Sequence, residues 1–210
     1  QRQMCIRDSH YAQEFCELIH TDEEVTNDDK PTFALRNRTK SSMRLAIDAV
    51  KEHKADAVIS AGNTGALMAM ATIVLKTLPG ISRPAIASSF PTQAGDSVML
   101  DLGANVECDS NNLVQFAVMG EVYARNELGL SQPSVGILNV GVEGLKGNDS
   151  VRDAAAILKE SDLPLEFYGF VEGDDIGKGT VDVIVTDGFT GNIALKTAEG
   201  TAQMLSLIHI

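Results

Sequence analysis

The stretch that decides the fold is Val181-Asp182-Val183-Ile184-Val185-Thr186-Asp187-Gly188-Phe189-Thr190-Gly191-Asn192, "VDVIVTDGFTGN". A strand with one wet face alternates apolar and polar residues, whereas a strand covered by helices on both faces is apolar at nearly every position. "VDVIV" is of the second kind, and so is "VGILNV" (Val135–Val140). The first run is cut off by Thr-Asp-Gly and followed by a helical pattern from about Thr190. It reads as buried strand, tight exit and helix.

Working outward, helical and extended segments alternate. Thr39–Lys51 places Met43, Ala46, Ile47 and Val50 on one helical face, with Ser41 or Ser42 available as a cap. "ADAVIS" (Ala55–Ser60) reads as a short strand, followed by a helix over Thr64–Lys76. Extended "RPAIASSF" and "DSVMLDLG" precede a helix from Asn111 to Glu127. Extended "PSVGILNVG" then leads to a helix opened by Asp149 or Ser150 and closed before Pro164. Extended "LEFYGFV" precedes the opening stretch. The pattern predicts an α/β fold, a three-layer αβα sandwich with a mostly parallel sheet. The acidic segment Glu14–Asp29 reads as a solvated helix and loop.

Composition narrows the function. A chain of 210 residues, 44% hydrophobic and with 5% aromatics, is long enough for one globular core. A net charge of −12 with scattered Lys and Arg argues against nucleic acid as a partner. The longest apolar run, Ala66–Leu75, is far short of the roughly 20 residues that a membrane-spanning helix needs. Cys5, Cys16 and Cys108 have neither disulfide nor metal spacing, which points to a reducing, cytoplasmic setting. His10, His20, His53 and His209 lie outside every glycine-rich loop, so the material for a Ser-His or Cys-His dyad is missing. His53 reads as a surface residue, and Cys108 as a small buried residue.

The two ends read differently. Met4–Ser9 and Leu205–Ile210 can be encoded by reverse-complementary strings that look like the transposon end used in sequencing libraries. Residues 1–9 and 205–210 are therefore expected to be non-native scars, leaving 10–204 as a single α/β domain truncated at both ends.

Ligands of such sheets sit where strands end at their carboxyl side. Four exits, "SAGNTG", "LDLGANVE", "LNVGVEGLKGN" and "TDGFTGN", each combine glycine with asparagine. Glycine lets backbone approach a ligand, and asparagine supplies uncharged donors and acceptors beside helix amino ends. The set points to a phosphate or thioester site. No Gly-x-Gly-x-x-Gly follows a strand, and "GDDIGKGT" (Gly173–Thr180) misses phosphate-loop spacing by one residue.

"SSMRLAIDAVKEHKADAVISAGNTGALMA", "LDLGANVECDSNNLVQFAVMG", "LNVGVEGLKGND" and "VDVIVTDGFTGNIALKTAEG" resemble the PlsX-type phosphate acyltransferases, from about Val25 to Gln203. The resemblance implies a fold similar to phosphotransacetylases and isopropylmalate dehydrogenase-like enzymes. It implies conversion of acyl-acyl carrier protein and inorganic phosphate to acyl phosphate and free carrier protein in phospholipid synthesis. It also implies a homodimer with no metal or other cofactor, peripheral at the cytoplasmic face of the membrane, supplying a downstream glycerol-3-phosphate acyltransferase. The family's amino-terminal glycine-rich exit would lie before residue 1, and a carboxy-terminal region would lie beyond the last, so the polypeptide itself is expected to be inactive.

Phosphate is already ionised and a thioester already activated, so this chemistry asks for positioning and charge stabilisation rather than a strong base. On that reading Gly62, Asn63, Thr64 and Gly65 form a helix-end cradle. Asp101, Asn105, Asn139, Asp187 and Asn192 orient the reactants, and Gly103, Gly141, Glu143, Gly188 and Gly191 complete the binding loops. Lys146 is the expected electrophile, with Lys196 as a second candidate; Lys146, Asn63 and Asp187 form the expected catalytic set. Two places depart from the family pattern. Val142 and Gly144 stand where it carries acids, and Asp174 stands where it carries arginine. The alternatives are a CoA-dependent phosphate acetyl- or butyryltransferase, or a non-catalytic acyl-phosphate-binding relative.

Overall fold

The computed structural model describes residues 16–209, with backbone alone for 208 and 209. Cys5, His10, Glu14 and the expected amino-terminal scar lie outside the described residues. The chain divides after Lys76 into two compact units.

In the amino-terminal unit three helices, α1 (Pro31–Asn37), α2 (Ser42–Lys51) and α3 (Thr64–Leu75), close a small core of Ala34, Met43, Ile47, Ala66, Met70 and Val74. Spacing explains the faces: Met43 and Ile47 are one turn apart on α2, and Ala66, Met70 and Val74 follow the same period on α3. Ser41 caps α2, its Oγ accepting from the Arg44 amide at 3.3 Å and donating to the Arg38 carbonyl at 2.7 Å.

Two expectations fail in this unit. Residues 55–60 form no strand, since a strand needs a ladder partner and none is present among the described residues; Ile59 is 97% exposed. Where a solvated helix and loop are expected over Glu14–Asp29, residues 16–29 form loop alone, held by short-range bonds such as Thr26 amide to Asp29 carboxylate and by bonds to the residues that open α2. The Thr21 hydroxyl donates to the Lys40 carbonyl at 2.7 Å, the Glu23 carboxylate accepts from the Lys40 amide at 3.1 Å, and the Glu23 carbonyl accepts from the Ser42 amide at 3.2 Å.

The second unit is an α/β sandwich. Its strands are β1 (Ala87–Thr92), β2 (Gly95–Leu100), β3 (Ser134–Leu138), β4 (Glu166–Val171) and β5 (Val183–Val185), in the order β1-β2-β5-β3-β4. All neighbours are parallel except the β1–β2 hairpin. Side chains alternate between two cores. Val98, Leu100, Val135, Ile137, Val183 and Val185 pack with α4 (Ser110–Glu127) and α5 (Asp149–Glu160). Met99 and Ile184 face the other way, with Ile176 of α6 (Gly173–Lys178) and Ala194 and Leu195 of α7 (Gly188–His209). That is why "VDVIV" lacks polar alternation. Helix α4 lies close on the sheet because residue 120 is glycine: a Cβ there would stand 2.5 Å from Val183 Cγ1 and 2.8 Å from Leu100 Cδ2. Among the described residues no helix is long and apolar enough to cross a membrane.

Candidate active site

In the second unit the parallel strands β2, β5 and β3 release their chain toward one edge. The β2 exit is organised by Asp101, which is fully buried. Its Oδ1 accepts from the amides of Ile86, Gly103 and Ala104 at 3.0, 3.1 and 3.0 Å, and its Oδ2 from the Asn105 amide and side chain at 2.7 and 2.8 Å. The Asn105 side chain also donates to the Pro84 carbonyl at 2.8 Å, and its carbonyl accepts from the Gly188 amide at 2.8 Å.

This last bond ties the β2 exit to the β5 exit. Asn192 adds a second tie, its amide donating to the Leu102 carbonyl at 3.1 Å. Position 191 admits only glycine at this separation, since a Cβ there would overlap the Asp101 carbonyl oxygen. Asp187 caps α7: its Oδ1 accepts from the Thr190 amide and its Oδ2 from the Thr190 hydroxyl, both at 2.8 Å.

The β3 exit is looser. Asn139 donates to the Lys146 carbonyl at 3.2 Å and accepts from the Val140 amide at 2.9 Å, while the Lys146 amide reaches the Glu143 carbonyl at 3.0 Å. Glu143 and Lys146 are exposed, and Gly141 packs beneath them against the Lys146 stem. Asn148 caps α5 through the Val151 amide at 2.9 Å.

Between the β3 and β5 exits lies a cavity of about 350 Å³, whose polar lining residues are Asn139, Asn148, Thr186, Asp187 and Thr190. A second cavity of about 620 Å³ shares Asn148, Asp187 and Thr190 and extends to Cys108. Burial pushes the Cys108 thiol up to about 11, helped by the Asp101 and Asp187 carboxylates against the opposing Gly188 amide and Arg83. It is therefore a neutral thiol near pH 7 rather than a nucleophile.

The family described as "Fatty acid synthesis protein" matches residues 1–209. The chain belongs to this family. Among curated relatives, a protein of Paramagnetospirillum magneticum named "Phosphate acyltransferase" is 64% identical over 91% of this chain and 54% of its own length. One of Rhodospirillum centenum with the same name is 68% identical over 88% of this chain and 52% of its own length. The chain thus spans about half the length of the curated relatives it matches. Two solved phosphotransacetylases share the fold. That of Streptococcus pyogenes has a TM-score of 0.60 at 21% identity, covering 76% of this chain and 54% of its own. The EutD phosphotransacetylase of Staphylococcus aureus has a TM-score of 0.58 at 23% identity, covering 76% and 55%.

For this member of the family, then, the expected residues sort as follows. Asp101, Gly103, Asn105, Gly188, Gly191 and Asn192 come together where the β2 and β5 exits meet, and Asn139 and Asp187 face the cavity between the β3 and β5 exits. Lys196 stands apart from both, exposed and paired with Glu199 at 2.7 Å. Gly62, Asn63, Thr64 and Gly65 belong to the amino-terminal unit. There Asn63 caps α3 through the Ala66 amide at 3.0 Å, and its amide group donates to the carbonyls of Thr26, Asn27 and Asp29 at 3.2, 3.4 and 2.9 Å. In this conformation its side chain is a cap and a clasp. Gly62 also lines a cavity of about 350 Å³ with Met43, Ile59 and Ser60.

Asp174, the acidic residue expected to depart from the family pattern, is 70% exposed and paired with Lys178 at 2.6 Å, so its charge falls on a solvated helix face. Sequence reading missed Asn148 and Thr190 as cavity residues. The available signal was the cap preference for asparagine just before Asp149, and for Asp187 a partner three residues on.

Proposed function

We propose that this chain carries the acyl-phosphate-forming site of a phosphate acyltransferase that takes its acyl group from acyl carrier protein. The observation that carries the reading is the cavity between the β3 and β5 exits, lined by amide, hydroxyl and carboxylate groups. Lys146 is not among the lining residues; it stands on the exposed loop that Asn139 of the lining holds through the Lys146 carbonyl, and its ammonium makes no ion pair among the described residues. Family membership and the names of the relatives support it.

In the reaction an oxygen of hydrogen phosphate attacks the thioester carbonyl carbon. As the tetrahedral centre collapses, the carbon–sulfur bond breaks, and the proton of hydrogen phosphate ends on the departing thiol. The products are acyl phosphate and free carrier protein. Lys146 is assigned to charge stabilisation, and such a donor is worth about 3 kcal/mol of barrier. Asp187 positions the start of α7 through Thr190, and Asn139 holds the Lys146 loop by its backbone. Asp101, Gly103, Asn105, Gly188, Gly191 and Asn192 form the support that fixes these exits. Gly62, Thr64 and Gly65, with Asn63 as their cap, are assigned as a further anion-binding turn of the amino-terminal unit. Homodimer formation, peripheral membrane association and delivery to a glycerol-3-phosphate acyltransferase belong to the same reading and rest on the family resemblance.

The test uses the longest open reading frame that contains these 210 residues. Thiol release from palmitoyl-acyl carrier protein is followed with and without inorganic phosphate, beside palmitoyl-CoA and acetyl-CoA. Release that requires both phosphate and the carrier substrate is expected. Release from CoA esters alone would move the chain to the CoA-dependent class, and no release from a folded protein would favour a non-catalytic relative.

A further inference from the structure

The cavity between the β3 and β5 exits has two kinds of lining residue. Besides its polar groups it is lined by Leu138, Val140, Val151, Ile176, Ile193 and Ala194, contributed by β3 and its exit and by α5, α6 and α7. Apolar groups also stand in water around it: Val140 is 78% exposed, Ile193 51%, and Phe189 of the adjoining cavity 60%. Exposed aliphatic side chains gathered beside a concave site mark an apolar ligand, since covering them removes unfavourable hydration. A cavity lined by both polar and aliphatic groups fits an amphiphile with an anionic or carbonyl head and a hydrocarbon tail.

We propose that the apolar wall is the subsite for the acyl chain, and that Ile193 and Val140 set how well long chains bind. This rests on the transferase reading for the identity of the head group. The tail runs along Ile193 and Val140 while the carbonyl lies toward Asp187 and Asn139. Ile176, 8% exposed, and Val151, also 8%, are too buried to move and form its floor. Ile193 is half in solvent, so a larger or smaller residue there changes the wall without disturbing the core.

The experiment compares the parent open reading frame with Ile193→Trp and Ile193→Ala, each checked for an unchanged circular-dichroism spectrum and melting temperature. Calorimetric binding of dodecylphosphonate is measured beside that of methylphosphonate, and phosphate-dependent thiol release is measured for butyryl- and palmitoyl-acyl carrier protein. Ile193→Trp is expected to weaken dodecylphosphonate about tenfold and to lower kcat/KM for palmitoyl relative to butyryl substrate by a similar factor, with KM for phosphate unchanged. Ile193→Ala should shift the same ratio less, about threefold.

Equal losses for both chain lengths, or a parent that does not bind dodecylphosphonate, would overturn the subsite. A parent that binds dodecylphosphonate in an Ile193-dependent way but releases no thiol would leave the subsite standing and remove the transferase reading. Should Ile193→Trp misfold, Val140→Trp on the exposed loop gives the same comparison.

Discussion

The β2 and β3 exits leave the same sheet edge in the same direction, yet one is bonded shut and the other is open. At the β2 exit a buried carboxylate accepts five hydrogen bonds, and backbone ties bind it to the β5 exit. At the β3 exit, residues 142–146 are exposed, and a few loop-internal bonds hold their course. Glycine and asparagine occur in both, so composition alone does not distinguish a loop that is bonded shut from a loop that stays open. What separates them is where the polar atoms point. The Asp101 and Asn105 side chains are spent on their own and neighbouring backbone, whereas the Lys146 ammonium has no partner among the described residues.

The most forceful way to break this contrast is Asp101→Ala. It removes the acceptor from the amides of Ile86, Gly103, Ala104 and Asn105 and from the Asn105 side chain. A fully buried donor left without a partner costs about 1–3 kcal/mol; these donors are only partly buried and water rescues some of them, so we expect a total loss near 4 kcal/mol in urea unfolding. A loss below about 1 kcal/mol would mean that the β2 exit is not held by its carboxylate.

Lys146→Ala should do the reverse. Stability should stay within about 0.5 kcal/mol, as for an exposed side chain without a partner. Phosphate-dependent thiol release should fall about a hundredfold, the cost of removing one charge-stabilising donor. Unchanged release would make Lys146 an ordinary solvated lysine and leave the open loop without a chemical role.

How far the sequence carried this contrast follows from the physics of each part. The unbroken apolar runs Val183–Val185 and Val135–Leu138 announced strands buried on both faces, and the Ser41 and Asp187 caps were local signals that a sequence displays. The use of Asn63 was not local: its amide group bonds to carbonyls more than thirty positions earlier, which no spacing rule reveals. Likewise "ADAVIS" has strand composition, but strand formation depends on a partner rather than on the segment itself. Helix α6 was hidden because its sequence, "GDDIGK", carries two glycines. It is stabilised by Asp175 accepting from the Glu172 amide at 2.9 Å and is closed by Gly179 in a left-handed conformation.

The smallest effect gives the sharpest reading of the closed exit. Cys108 is half-buried, with Sγ 3.7 Å from the Asn105 carbonyl oxygen, and its pKa is raised from 9.0 to about 11, mainly by burial. A raised thiol pKa favours the neutral form in the folded state, so its contribution to stability is present below about pH 9 and lost as pH rises toward 11. At pH 8 only about one thiol in a thousand is ionised, and alkylation by iodoacetamide should be about a hundredfold slower than in the urea-unfolded chain. The rate should climb about tenfold per pH unit between pH 8 and 10, read by peptide mass so that exposed Cys16 serves as the labelled reference. In Asp101→Ala the loop shielding Cys108 loses its anchor, and the pH 8 rate should move toward the unfolded value. If the parent already labels at the unfolded rate, the β2 exit opens as freely as the β3 exit, and the division between a closed and an open exit fails.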